Sequence, residues 1–305
     1  MIVTIALLIL VTIFLFYVLH VQNHSAEKFE SSPNVVIFKG AGGLAHMLSD
    51  VNQVIHSCLK NKKELVIDTK THNAFDGDFF NYFYIVPCDI NISSTYPLQW
   101  TWKNIPSEQI EKNGIHWVRR GTYEMQINEK KYKLDTQISR KSKVNVVSHL
   151  NDVTCEKNYV RLNGKLIYRL NADTGEFSGN AIGVHYRNTD YKNDYDEMLN
   201  TVNKKIDETG IHRVYLATDD YYAYDKFNRD INGVVMRKTF PKMLQKHEKN
   251  IHYSNKDKSK VVYDCLLDVY CLTKCKHFIP SKKSELSQLI IRYREDPDNS
   301  IFSFK

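Results

Sequence analysis

Apolar residues change their period twice along residues 34–67. Residues 34–38 form a compact apolar run, and positions 44, 47, 48, 51, 54, 55, 58 and 59 then fall on one helical face. Residues 65–67 are apolar again. Gly40, Gly42 and Gly43 separate the first run from the helix, and residues 61–64 break the helical pattern. Strand, glycine loop, helix and strand in that order predict the start of a parallel sheet.

The same logic restarts near residue 181. Ala181, Ile182, Gly183 and Val184 run directly into His185, Arg187 and Asp190 with no turn residue between them. Tyr195, Met198, Leu199, Val202 and Ile206 make a helical stripe that Gly210 ends. A strand over residues 213–218 leads into Asp219 and Asp220. A short helix over 221–230, a strand over 233–236, a helix over 261–274, a strand over 277–279 and a helix over 284–294 complete the pattern. Between the two regions the signal is weaker. Short aromatic and β-branched pieces at 100–102, 116–118, 123–127 and 144–147 read as strands or hairpins, and Asn163-Gly164 between two apolar runs predicts a hairpin over 159–170. The expected fold class is α/β, with two Rossmann-like domains facing a cleft: residues 34–170 with a β-rich insertion, and residues 171–305.

The amino terminus differs in kind. Residues 2–19 carry no charge and meet the lower end of the roughly 17–25 residues that span hydrocarbon. No lysine or arginine precedes this run and no A-x-A pattern follows it, so it predicts a retained membrane anchor over 2–20, not a cleaved signal peptide. Residues 21–33 are polar and read as a stem. In a lumenal protein, Asn23-His24-Ser25 and Asn91-Ile92-Ser93 would be available glycosylation acceptors.

With 305 residues the chain has room for two cores, and 25 % charged residues make its body an ordinary globular one. The net charge of +7 is spread out. Basic runs at 140–143 and 237–260 lack the interleaved aromatics that stack bases, so they read as solvated faces and argue against a nucleic-acid partner. The six cysteines fit no paired zinc-knuckle spacing. Cys271 and Cys275 read as small buried hydrophobes. Asp-x-Asp, which holds a metal and a diphosphate in some transferases, occurs at 76–78, 194–196 and 296–298; three occurrences make it unspecific, and 76–78 reads as a turn.

Ligands in open α/β sheets bind at the carboxyl ends of the strands. His185, Arg187, Asp219, Asp220 and the polar turn after Ile279 are all predicted to meet at that edge of the second sheet. The planar fork of Arg187 suits a diphosphate better than a lysine does. Asp219 or Asp220 would contact a base or ribose, or cap the following helix. Asp268, among Leu266, Leu267 and Val269, is costly to bury without a partner. Ser284 opens the last helix, where it would face a phosphate or act as a plain cap. Gly42 and Gly43 permit either a tight turn or the approach of backbone amides to a phosphate; their spacing is neither a P-loop nor a dinucleotide fingerprint.

Three segments, V-H-Y-R-N-T-D at 184–190, V-Y-L-A-T-D-D at 214–220 and L-L-D-V-Y-C-L-T-K-C-K-H-F-I-P-S-K-K-S at 266–284, together resemble the donor domain of the α1,6-fucosyltransferases. That group includes the core fucosyltransferase of N-glycans and the rhizobial nodulation enzyme, with protein O-fucosyltransferases as more distant relatives. Residues 40–43 and the helix after them are similar to the family's first loop. The resemblance implies a GT-B fold and an inverting transfer from GDP-fucose without a metal or other cofactor. By position it implies that Arg187 holds the pyrophosphate, His185 contacts the donor, Asp268 binds guanine and Ser284 meets a phosphate, with Asp219 and Asp220 as the pair at the strand end. The chain departs from the family at Asn188, where a second arginine is expected, at Tyr191, where a lysine is expected, and at Tyr195, where the glutamate base is expected. Asp190, Asp194, Asp196 and Glu197 are nearby carboxylates that could serve instead. The expected protein is a fucosyltransferase acting on a glycan or glycoprotein acceptor, a single-pass type II membrane protein of the Golgi or secretory pathway. The alternatives are a transferase using another nucleotide sugar, UDP-linked, with or without a metal, and an anchored binding protein without catalysis.

Overall fold

The computed structural model describes residues 35–40, 42–69, 72, 75, 77–94, 115–118, 124–127, 130–133, 144–147, 158–175, 177, 179–188, 193–236 and 257–295. The apolar run at 2–19, the stem, the aromatic piece at 100–102 and Asp190 lie outside the described residues. Among the described residues, no helix is long and apolar enough to cross a membrane.

In chain order the elements are β1 (Val35–Phe38), α1 (Leu44–Asn61), β2 (Glu64–Ile67), a 3-10 turn (Phe79–Asn81), β3 (Phe83–Ile85), β4 (Ile92–Ser93), β5 (Ile115–Val118), β6 (Glu124–Ile127), β7 (Lys130–Lys133) and β8 (Val144–Val147). They continue with β9 (Val160–Leu162), α2 (Gly164–Thr174), β10 (Ile182–Tyr186), α3 (Tyr195–Thr209), β11 (Arg213–Thr218), α4 (Tyr221–Asp230), β12 (Val234–Val235), α5 (Lys258–Lys274), β13 (His277–Ile279) and α6 (Glu285–Glu295). The chain forms two compact units, one from Met1–Lys39, Ser57–Asp68 and Cys88–Asp152, the other from Gly40–His56, Thr69–Pro87 and Val153–Lys305.

The first unit holds a five-stranded sheet in the order β4-β2-β1-β8-β5, with every pairing parallel. All four residues of β1 are buried, as expected of a strand covered on both faces. The chain leaves β1 towards β2 and β4, whereas β8 lies on the other side of β1. The strand order therefore reverses between β1 and β8, the position where ligand crevices form in such sheets. Strands β6 and β7 make an antiparallel hairpin.

The second unit carries a four-stranded parallel sheet, β12-β11-β10-β13. Its side chains alternate with the two-residue period of a strand. Ile182, Val184, Tyr186, Val214 and Leu216 join Met198, Val202 and Ile206 of α3 and Ala223 and Phe227 of α4 in one core. Gly183 faces the other way, towards α5. A methyl group there would come within 2.9 Å of Leu272 and 3.0 Å of the Cys275 Sγ, so glycine allows α5 to lie directly on β10. His185 shares that second face. Helix α3 begins at Asp194, whose carboxylate accepts from Glu197 N, and ends at Gly210 in the left-handed conformation. The reversal of strand order in this sheet falls between β10 and β13.

One expectation fails. Residues 159–170 are not a hairpin: β9 pairs antiparallel with β3, about eighty residues earlier, and α2 starts where the turn was expected. Asn163 Oδ1 accepts from Leu166 N at 2.9 Å and its amide donates to the Asn81 carbonyl at 2.6 Å. Asn-Gly is therefore a helix cap here, and Leu166, Ile167 and Leu170 turn out to be the buried stripe of α2. Asp78 caps the 3-10 turn, in keeping with a turn at 76–78. Helix α5 starts three residues before its expected beginning because Asp257 caps it.

Candidate functional site

Strand β10 delivers Arg187 one residue past its end, and β11 delivers Asp219 one residue past its own; the last registered pair is Tyr186 with Thr218. The two side chains meet loosely, with Arg187 Nε 4.0 Å from Asp219 Oδ2 and both about one-fifth exposed (21 % and 18 %). Asn188 secures the carboxylates. Its backbone N–H donates to Asp219 Oδ1 at 2.9 Å, and its side-chain amide donates to Asp220 Oδ2 at 2.6 Å. Asp220 also caps α4, accepting from Tyr222 N at 2.9 Å, while its own N–H donates to Thr218 Oγ1. Of the two aspartates, Asp220 caps the helix, one of the roles expected of the pair, and Asp219 faces the arginine.

His185 is buried, and its Nδ1 lies 2.8 Å from Ser287 Oγ on α6. The same hydroxyl accepts from Ser281 N at 3.0 Å. Asn193 uses both amide hydrogens, one to the Arg187 carbonyl at 2.8 Å and one to Ser281 Oγ at 2.5 Å. A continuous chain of hydrogen bonds therefore links the exit of β10, the exit of β13 and α6 across the point where the strand order reverses. Asn193, Ser281 and Ser287 were not singled out by sequence. Small polar residues carry no local signal of a partner about 90–100 positions away.

Ser284 sits in the same turn, its N–H donating to the Ser281 carbonyl. Its hydroxyl is buried and has no partner among the described residues, so it does not act as a cap. An unsatisfied buried hydroxyl costs about 1–3 kcal/mol and calls for a reason. The preceding residue, Lys283, takes up a left-handed conformation at φ 62° that shapes this turn.

Two of the candidate bases, Asp194 and Glu197, are engaged. Asp194 caps α3 through Glu197 N, and Glu197 pairs with Lys282 of the turn after β13 at 2.5 Å. Tyr195, which stands where the resemblance expects a glutamate, packs its ring against Tyr186 and Phe227 and donates its hydroxyl to Asp230. Burial, then the Asp230 hydrogen bond, raise its pKa well above that of a free phenol, so it stays protonated at neutral pH. Tyr186 is pushed up to about 12, first by burial and then by the carboxylates of Asp220, Asp194, Asp219 and Asp196. The exit of β10 is thus rich in negative charge, and Arg187 is a cation set into it.

Two groups of expected residues lie apart from this cluster. Asp268 is buried on α5 and accepts from the Tyr215 hydroxyl of β11 at 2.8 Å, in the middle of the sheet instead of at its edge. Gly42, at φ 86°, and Gly43 open α1 in the same compact unit, where the Gly43 carbonyl accepts from Met47 N. The positive φ explains glycine at position 42 as a turn. Among the described residues, no group of three or more His, Cys, Asp or Glu side chains could hold a metal ion.

No family model and no curated protein matches the chain. Solved structures do. Fucosyltransferase NodZ from Bradyrhizobium is similar over 85 % of this chain and 92 % of its own, at 18 % identity and a TM-score of 0.51. NodZ α-1,6-fucosyltransferase soaked with GDP-fucose matches over 84 % and 91 %, at 18 % identity and a TM-score of 0.50. POFUT1 in complex with GDP-fucose matches over 87 % and 95 %, at 11 % identity and a TM-score of 0.54. At these identities the likeness establishes the fold: an α/β fold resembling that of fucosyltransferases, of the GT-B kind.

Proposed function

We propose that the chain is an inverting glycosyltransferase that moves fucose from GDP-fucose to a hydroxyl of a glycan or glycoprotein acceptor, without a metal. The observation that carries this reading is Arg187. It stands where the strand order reverses in a fucosyltransferase-like fold, 4.0 Å from Asp219, and hydrogen bonds through Asn193 and Ser281 connect its backbone to the turn that bears the Ser284 hydroxyl, unsatisfied among the described residues. In the transfer, the acceptor oxygen attacks the anomeric carbon and the bond from that carbon to the diphosphate oxygen breaks. The bonding electrons leave with GDP, and the acceptor proton passes to a carboxylate. Arg187 neutralises the charge gathering on the departing diphosphate; a fixed cation aimed at developing charge lowers a barrier more than most other devices an active site can use. His185 and Ser284 contact the phosphates, Asp268 takes the guanine, and Asp219 and Asp220 hold the exit of the strand. Gly42 and Gly43 lend backbone amides to the donor. The base is Asp190, Asp194 or Glu197. Residues 2–20 anchor the protein as a type II membrane protein of the secretory pathway, which suits a glycan or glycoprotein acceptor.

Thermal shifts with GDP and UDP test the donor, because a ligand stabilises only the state it binds. Preferential stabilisation by GDP is expected, and a UDP preference would overturn the reading. Transfer should persist in excess chelator. One observation favours a second reading, a donor-binding protein without catalysis: Asp194 and Glu197 are both engaged elsewhere. In that case GDP binds and no sugar is transferred to any acceptor.

A further inference from the structure

The hydroxyl of Ser287 is fully buried on α6 and makes two hydrogen bonds, one with Ser281 N and one with His185 Nδ1. A backbone N–H only donates, so Ser287 Oγ must accept from Ser281. The hydroxyl has a single hydrogen left to place. If His185 carried its proton on Nδ1 and donated it to Ser287, the serine hydrogen would face the interior with no acceptor, since among the described residues His185 Nδ1 is the only acceptor it meets. Burying a donor unsatisfied forfeits its whole hydration. If Ser287 instead donates to Nδ1, its hydrogen is placed and both of its hydrogen bonds are made.

We infer that Ser287 sets the tautomer of His185: it holds Nδ1 bare and fixes the imidazole proton on Nε2, which makes His185 a neutral hydrogen-bond donor. Ser287 is a positioning residue, and Ser281 and Asn193 carry the constraint onward. Ser281 N occupies one lone pair of the serine oxygen, and the Asn193 amide ties Ser281 to the Arg187 carbonyl, so a single set of hydrogen bonds orients both the histidine and the arginine. The ligand class that this arrangement recognises is a phosphate oxygen, which accepts from Nε2–H without needing a charged imidazolium. That last step rests on the donor-site reading proposed above, whereas the tautomer does not.

Nitrogen-15 NMR of the histidine ring in the full chain separates the two, because couplings from the ring protons distinguish a protonated nitrogen from a bare one. The free protein is expected to show His185 as a single form with the proton on Nε2. Ser287→Ala should release the constraint and give a mixture of tautomers, while Ser287→Thr, which keeps the hydroxyl, should restore the single form. A lost packing contact alone would shift the unfolding midpoint in both variants and leave the tautomer unchanged. A proton on Nδ1 in the unmodified protein overturns the assignment, and that spectrum decides even if the alanine variant does not fold. A single Nε2–H form that persists in Ser287→Ala removes Ser287 from its role. Added GDP should move the Nε2–H resonance; if it does not, the donor-site reading falls and the tautomer assignment stands.

Discussion

One step beyond the registered pair Phe38–Ile67 of the first sheet stand Lys39 and Asp68, and one step beyond Tyr186–Thr218 of the second stand Arg187 and Asp219. Both pairs set a cation from one strand against an aspartate from its parallel neighbour, and both lie beside the point where the strand order reverses. In the first sheet the pair is sealed: Lys39 Nζ is 2.5 Å from Asp68 Oδ2, and the side chains are 2 % and 6 % exposed. The Lys39 N–H donates to the Val147 carbonyl and the Asp68 N–H to the Phe38 carbonyl, so three strands close around it. In the second sheet the pair is 4.0 Å apart and each side chain remains open to solvent. Distance and exposure separate a pair that stabilises its strands from one that can turn to a ligand. The sign of the charges and their position past the strand end do not.

Substitutions that break each pair sharpen this contrast. Asp68→Ala removes a buried carboxylate from buried Lys39 and should cost about 3–5 kcal/mol, read from urea unfolding. Asp219→Ala removes a part-exposed ion pair and should cost clearly less. If the two variants lost equal stability, the distinction between sealed and open pairs would be wrong. Arg187→Ala should lower sugar transfer by roughly 10²–10³-fold, the loss seen when one charge-stabilising donor is removed, with little change in the urea midpoint. An active Arg187→Ala enzyme removes the diphosphate clamp. Gly183→Ala forces a methyl group against Leu272 and Cys275 and should destabilise the second unit by about 1–3 kcal/mol, which hydrogen exchange localised to β10 and α5 would report. The smallest effect belongs to Glu197→Gln. Its pair with Lys282 is solvent-exposed, so stability should change by less than about 1 kcal/mol, and any large loss of turnover would then identify Glu197 as the base.

The second unit was largely legible from its sequence because its central strands, β10 and nearly all of β11, are buried. Strand β11, helix α4 and strand β13 fall at their expected residues, and α3 carries its expected apolar stripe and ends at Gly210. Of the site, His185, Arg187 and the two aspartates were legible as the polar ends of apolar strands. Three things were not. Asn163-Gly164 carries a turn signal and a cap signal at once, and the choice was made by the pairing of β9 with β3 far along the chain. Asp268 accepts from Tyr215, 53 residues earlier in the chain, and no local pattern announces that contact. Asn193, Ser281 and Ser287 take their roles from three elements that meet at one edge. Lys39 was overlooked for a different reason: a lysine after an apolar run beside glycines looks like a surface residue, and only the register with β2 shows it to be enclosed.

The unsatisfied hydroxyl of Ser284 ties the folding of this protein to its evolution. A chain selected for stability alone would replace it with alanine, since a buried donor without an acceptor weakens the fold that holds it. If Ser284 meets a phosphate, as proposed above, a natural serine there marks a trade-off in which the free protein tolerates a defect that the ligand repairs. Directed evolution for heat resistance should therefore discard Ser284 early. The survivors would be hardier proteins with a poorer grip on their ligand, and a screen that adds ligand during heating should keep the serine.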